Sequence, residues 1–303
     1  MRYILFILVS MVFTNVCGQQ VKPDLKFLTM KEDSLALIGP DIINSTEPEK
    51  RFKSDSLFTR VLVRALRSPH SFYFPFDSLK TISRLYAPDS SFRIFTWQVS
   101  RDEDLHRRHG AIQVRTTDGS LKLFPLIERT DLIRDQKDTI TSNEWWIAAI
   151  YYRILLNNHN GKKYYTLLGY DEHSIRSTIK RIEVLHFGSD GKPVFGEKIF
   201  DFSADTIKGK PQSRYWIEYK KNANARMQYD EDLKMIIYDH LISETNEPEK
   251  KYTFIPDGDY EGFKWENGKW KHIEKVFTYK LMDGQAPVEV PKTESKLKPV
   301  KKG

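Results

Sequence analysis

Apolar positions recur along the chain in two textures, and the change between them falls near Ser91. Leu57, Phe58, Val61, Leu62, Ala65 and Leu66 follow steps of three and four, which lays one apolar stripe along an α-helix. Thr46-Glu47-Pro48-Glu49 has the spacing of a capping box at its start. Proline costs little in that first turn, where its missing N–H would be unpaired anyway. Ser68-Pro69 ends the pattern, and a shorter helix is predicted from Asp77 through Leu79, Ile82, Leu85 and Tyr86, stopped by Pro88. The stretch from Gln19 to about Ser45 shows no sustained periodicity and reads as a leader to these helices.

Beyond Ser91 the pattern is that of strands. Phe92–Val99, Ala111–Thr116 and Leu121–Leu126 come first, the last two joined by Asp118-Gly119. Asn160-Gly161, Asp190-Gly191 and Asn267-Gly268 mark further turns, because each dipeptide tolerates the positive φ angles of a type I′ hairpin. In Trp265-Glu266-Asn267-Gly268-Lys269-Trp270 a two-residue turn sets Glu266 against Lys269 and Trp265 against Trp270, so a charge pair and an aromatic pair favour one register. Met235–Tyr238 and Tyr165–Leu168 are apolar on both faces, as is Ile182–Phe187 in part, which predicts sheet covered on both sides. The fold class expected is mainly β: an antiparallel sandwich, barrel-like or propeller-like sheet with one or two N-terminal helices.

The first residues change the setting. Arg2, the apolar run Ile4–Phe13, and Val16 and Gly18 before Gln19 have the layout of a secretory signal peptide, with an apolar run too short to span a bilayer. The predicted organisation is a signal peptide over 1–18, a leader and helical segment over 19–90, a β domain over 91–285 and a basic tail over 286–303. Cys17 is the single cysteine, so a chain cleaved after Gly18 has no disulfide, thiolate metal site or cysteine nucleophile. Forty per cent apolar residues with a mean hydropathy of −0.54 fit a soluble globular chain. The formal net charge of +7 is concentrated at the ends: Arg2 carries part of it, and five lysines against Glu294 after Pro291 carry most of the rest. A near-neutral body gives no basic face for nucleic acid, and the tail offers at most weak contact with an anionic membrane.

No P-loop, G-x-G-x-x-G, G-x-S-x-G or H-E-x-x-H motif is present. Polar residues inside strong strands are the alternative source of chemistry, since a carboxylate or imidazole on an apolar face requires a partner. Asp239 and His240 follow Met235–Tyr238, Glu183 and His186 lie within Ile182–Phe187, and Asp171 ends the strand of Leu167 and Gly169. Asp239, His240 and Asp257 are the candidate acids or bases; Asp171, Glu183, His186, Asp259, Trp265 and Trp270 are candidate binding residues. Asp102-Glu103-Asp104 with His106 and His109 could hold a divalent ion, but Arg101, Arg107 and Arg108 interleave them and favour an exposed ion-paired turn. Asp257, Asp259 and Glu261 outline a calcium loop without EF-hand spacing; a tight turn led by Pro256-Asp257-Gly258 accounts for the same residues, and no other cofactor is indicated. Core packing is the default for the tryptophans, although Trp265 and Trp270 share a face that could stack on sugar rings.

From Trp146 to Phe277 the chain resembles an uncharacterised family of exported Bacteroidota-type proteins. The resemblance is carried by Leu167-Leu168-Gly169-Tyr170-Asp171, Ile182-Glu183-Val184-Leu185, Gly191–Gly196, Met235–Leu241 and Ile255–Phe263. It implies export and a shared β domain, and it brings no activity. The leading expectation is therefore a periplasmic or secreted, non-catalytic β domain that binds an envelope protein or glycan. A hydrolase acting on a saccharide or other envelope polymer is the alternative, and a structural subunit of an envelope assembly is a third reading.

Overall fold

The structure, a computed structural model, describes residues 22–102 and 105–277. The expected signal peptide and basic tail, with Glu103 and Asp104 of the acidic run, lie outside the described residues. The chain opens with two packed helices, α1 (Leu25–Asn44) and α2 (Pro48–Leu66). Helix α1 corrects the expectation of an aperiodic leader. Its buried positions, Leu28, Glu32, Leu35, Gly39 and Ile42, step by four and three, a narrow seam in which only three side chains are large and apolar. Asp24 caps it by accepting from the Phe27 N–H at 3.0 Å. Helix α2 has Pro48 in its first turn as predicted, but the capping box does not form: Glu47 is the N-cap, without a side-chain cap bond. Ser45 Oγ instead accepts from the Glu47 N–H at 3.3 Å.

The helix expected from Asp77 is absent. Ser83–Tyr86 form strand β1, paired antiparallel with β2 (Phe92–Ser100) from Ser83↔Thr96 to Tyr86↔Arg93. Pairing with a strong neighbour overrides a short, ambiguous apolar spacing. With β3 (His106–Val114) and β4 (Lys122–Leu126) these strands make a four-stranded sheet in sequential order. Strand β3 starts five residues before the predicted Ala111, so His106 and His109 belong to a ladder rather than to an exposed turn.

A second sheet has the order β5 (Thr141–Ser142), β9 (Pro193–Phe195), β8 (Ser177–Phe187), β7 (Lys162–Asp171), β6 (Ile150–His159), with β11 (Arg214–Lys220) also on β8. A third has the order β10 (Phe200–Asp201), β15 (Lys269–Ile273), β14 (Phe254–Glu266), β13 (Met235–Ser243), β12 (Met227–Asp230). Only the β10–β15 pair is parallel among these named pairs. The sheets are open, so of the architectures expected the sandwich is the one formed.

Three apolar cores hold the layers together. One joins the helices to β2 through Phe58, Leu62, Phe95 and Trp97. The next lies between the first and second sheets, around Phe92, Ile94, Trp146 and Leu167. The last lies between the second and third sheets, around Leu168, Ile182, Ile236, Phe263 and Trp270. Met235–Tyr238 are buried at every position, as the two-sided apolar pattern predicts. The turns after β6 and β14 have both central residues at positive φ (Asn160 49° and Gly161 77°, Asn267 51° and Gly268 80°), the type I′ signature. Asp190-Gly191 differs, with only Gly191 at positive φ (71°) in a longer connection. Trp265 pairs with Trp270 and Glu266 with Lys269, in the predicted register.

Charged side chains are threaded through the layers. Arg93, fully buried, donates to Gln113 Oε1 (2.8 Å), Phe74 O (2.6 Å), Tyr86 OH (2.8 Å) and Ser71 O (2.8 Å), pinning the 71–76 loop to β2. Burial holds its pKa down to about 10. Arg214, also fully buried, ion-pairs with Glu183 and donates to Gln136 O (3.0 Å), Thr139 O, Thr141 Oγ1 (2.8 Å) and Phe195 O (2.9 Å). One guanidinium thus fastens the 136–141 segment to β9 and β11.

Candidate functional site

Strand β11 pairs with β8 along one edge and carries no strand on the other among the described residues. A cleft of about 250 Å³ opens there, between β11 and the β13–β14 pair. Its walls include Tyr215, Trp216, Tyr238, His240, Phe254 and Glu261.

The backbone of β13 and β14 sets up the polar side of this cleft. Their register runs evenly to Asp239↔Tyr260, then resumes at Leu241↔Pro256. His240 is left opposite Asp257, Gly258 and Asp259 in an irregularity that re-aims side chains, as bulges do. Gly258 sits at φ 96°, a left-handed conformation that suits glycine. Asp257 Oδ1 accepts from the Asp259 N–H at 3.0 Å, closing the local turn. The tight turn predicted from Pro-Asp-Gly is therefore a bulge inside one long strand.

The bulge brings His240 Nδ1 to 2.8 Å from Asp257 Oδ2 and His240 Nε2 to 3.6 Å from Glu261 Oε1. Glu261 continues the chain inward. Its Oε2 accepts from Tyr238 OH at 2.9 Å and lies 3.2 Å from His272 Nε2, while His272 Nδ1 meets Asp205 Oδ2 at 2.8 Å. Two imidazoles and three carboxylates form one line from the cleft mouth to the core, with His240 at the half-exposed end and His272 at the buried end.

The charge states follow from these contacts. Burial alone would raise the Asp257 pKa, but the Asp259 N–H and His240 outweigh it and hold the carboxyl below its usual range. Asp257 is thus an anion that accepts and orients, not a proton donor. Burial would lower the His272 pKa, yet Glu261 and Asp205 outweigh it and keep the imidazole above its usual value. Tyr238 is pushed well above the usual phenol value by burial, with Tyr215 and Glu261 adding to it, so it stays protonated and donates.

The remaining predicted residues disperse. Asp239 lines the cleft, but its Oδ2 accepts from the Arg226 N–H at 2.7 Å, and so it serves the backbone. Asp171 pairs with Arg108 and lies 3.8 Å from Arg181, between the first and second sheets. Glu183 is consumed by Arg214 and by Tyr151 OH at 2.6 Å. His186 Nδ1 lies 3.4 Å from Glu197, away from the cleft. Asp259 pairs with Lys275 at 3.1 Å, while Asp257 and Glu261 both face His240. Trp270 is 1% exposed and donates to Thr166 Oγ1 at 2.9 Å. Trp265, half-buried, packs on it with ring centroids 5.3 Å apart, at the edge of the core that contains Trp270. Trp146 is buried, whereas Trp145, at the end of a 3-10 turn over Asn143–Trp145, is exposed.

A larger cleft of about 750 Å³ runs beside β3 and holds His106 and His109. Three of its ionisable groups are held by partners. Arg108 pairs with Glu128 and Asp171, His109 lies 3.0 Å from Asp55, and His106 Nδ1 is 2.8 Å from Ser100 Oγ. Among the described residues no group of three or more potential ligands is arranged to hold a metal ion. No described helix is long and apolar enough to cross a membrane.

Sequence reasoning picked out His240 and Asp257 but missed Tyr238, His272, Asp205 and the aromatic wall from β11. His272 carried a readable signal, since it alternates with the apolar Trp270 and so points to the same face. Asp205 and Trp216 carried none, because tertiary folding alone brings them near. Set against known proteins, the chain matches no family model, no curated protein and no solved structure.

Proposed function

We propose that this protein is an exported, non-catalytic binding domain whose β11/β13/β14 cleft holds a saccharide of the cell envelope. One observation carries the reading: His240, half-exposed and held between Asp257 and Glu261, lies in a cleft that also has Trp216, Tyr215 and Phe254 in its walls. Sugars are recognised by this combination, with carboxylates and imidazole meeting hydroxyl groups and aromatic rings meeting C–H faces. A volume of about 250 Å³ is just below that of pockets for drug-sized ligands, which suits a small sugar or one end of a polymer. Export rests on the residue pattern of the first eighteen positions and on the resemblance to exported Bacteroidota-type proteins.

The His240–Asp257 contact also favours a second reading, a hydrolase with His240 as general base oriented by Asp257. Asp257, held ionised, supplies no acid for the leaving group, and Asp239 is tied to backbone; binding is therefore the stronger conclusion. Calorimetric titration with a panel of envelope oligosaccharides separates the two. The binding reading expects saturable heat from at least one saccharide, lost in His240→Ala, with the saccharide recovered intact after long incubation. Cleavage products that vanish in His240→Ala would establish the hydrolase instead, and binding that His240→Ala leaves unchanged would remove the cleft from both readings.

A further inference from the structure

Two cations at the cleft have no part in the His240–Glu261 line. Lys137 and Lys251 both border the cleft, from segments far apart in sequence. The Lys137 ammonium lies over the Trp216 ring at 4.8 Å and the Lys251 ammonium over the Phe254 ring at 4.1 Å. Neither has a carboxylate partner among the described residues. Neighbouring lysines do: Lys220 pairs with Glu244 at 2.6 Å and Lys221 with Glu172 at 3.2 Å.

The position of Lys137 is built, not incidental. Its carbonyl accepts from the Ser213 N–H at 2.8 Å and the Arg214 N–H at 3.2 Å, which ties it to β11, the strand that carries Trp216. The Arg214 guanidinium grips the carbonyls of Gln136 and Thr139 on either side of it. Beyond its contact with the Trp216 ring, the ammonium has no ion-pair partner among the described residues. Burial first, and the like charge of Lys251 second, hold the Lys137 pKa below the usual lysine value. Glu218, Asp239 and Glu261 also line the cleft, but none is ion-paired with either lysine, and an anion bound between the two ammonium groups relieves their mutual repulsion.

We propose that Lys137 and Lys251 form an anion subsite of this cleft, so that its ligand is an acidic saccharide bearing a carboxylate or a sulfate. The acidic group lies against the two ammonium groups, each backed by an aromatic ring, while hydroxyl groups meet His240 and Glu261. This specificity rests on the saccharide reading above.

The test is calorimetry on the whole protein at pH 7 with three probes: a tetrasaccharide of uronic acids, its carboxyl-reduced neutral counterpart, and a sulfated tetrasaccharide. At least one acidic probe should bind roughly tenfold or more tighter than the neutral one, since a single charge-assisted hydrogen bond is worth a factor of that order. The carboxylate and sulfate arms show which group is preferred. Lys137→Gln with Lys251→Gln should abolish the preference while lowering thermal stability only slightly, through the two lost ring contacts, and Lys137→Arg with Lys251→Arg should keep most of it. Raising salt should weaken the acidic probes only. Equal affinity for neutral and acidic probes, or a preference that survives the double Gln variant, overturns the anion subsite and leaves the saccharide reading standing. If no probe binds, both fall.

Discussion

Replacing Arg214 by Met tests how the cleft is held together. Arg214 is fully buried and its guanidinium satisfies Glu183 and acceptors at Gln136, Thr139, Thr141 and Phe195. Methionine fills similar volume but leaves the Glu183 carboxylate, itself without solvent exposure, facing no cation at hydrogen-bonding distance. Breaking a buried pair from one side costs about 3–5 kcal/mol. That is a large share of the roughly 5–15 kcal/mol by which domains are stable, and for a chain of this size it lowers Tm by about 10 °C. Urea unfolding of Arg214→Met, Glu183→Met and the double variant would give the coupling between the two. The double variant should be more stable than the sum of the single losses by roughly 1–3 kcal/mol, because it removes both charges. Recovery should be partial, since the carbonyls around the 136–141 segment still lose their donor. A loss below about 1 kcal/mol for Arg214→Met, or strictly additive losses, would refute the argument that this ion pair clamps the segment bearing Lys137.

Other outcomes follow from the same contacts. Trp270→Ala should cost about 3–5 kcal/mol in chemical denaturation, because it empties the core between the second and third sheets; a loss under about 1 kcal/mol would mean the ring is not packed as described. The raised pKa of His272 means its ion pairs contribute stability that is fully present below the unfolded value of about 6.5 and fades as pH rises through the higher folded value. The stability gap between wild type and His272→Gln should therefore narrow as pH rises above about 6.5, and a gap that widens would contradict the assignment. At Gly258 an added Cβ meets nothing within 4 Å, so Gly258→Ala should cost only about 1 kcal/mol of backbone strain at φ 96°. It should weaken saccharide binding more than it weakens the fold, by shifting Asp257 from His240; equal small effects on both would detach the bulge from the site.

What the sequence revealed was local. The Trp265–Trp270 hairpin was legible because its turn dipeptide, charge pair and aromatic pair all lie within six residues and agree. Strand β13 was legible because Met235–Tyr238 are apolar on both faces. Helix α1 was hidden by a seam that interleaves Glu32 and Gly39 between its apolar residues and contains Pro40. Strand β1 was mistaken for helix because Leu79, Ile82 and Leu85 fit a helical period, and only the ladder with Phe92–Ser100 decides against it. His240 and Asp257 could be nominated separately as polar residues in or beside strong strands. Their meeting depends on an irregular register that no period announces. Lys137 and Trp216 are joined by hydrogen bonds from Ser213 and Arg214, an arrangement with no sequence signature.

The central claim is that the cleft at His240 receives a saccharide. Titrating isotopically labelled protein with the tetrasaccharide probes and following amide and imidazole NMR shifts tests it most directly. The account predicts saturable shifts concentrated at Trp216, Ile217, His240, Phe254 and Glu261, with the His240 ring moving more than the His272 ring. Shifts centred on another face, or none at probe concentrations well above the millimolar range, would contradict it.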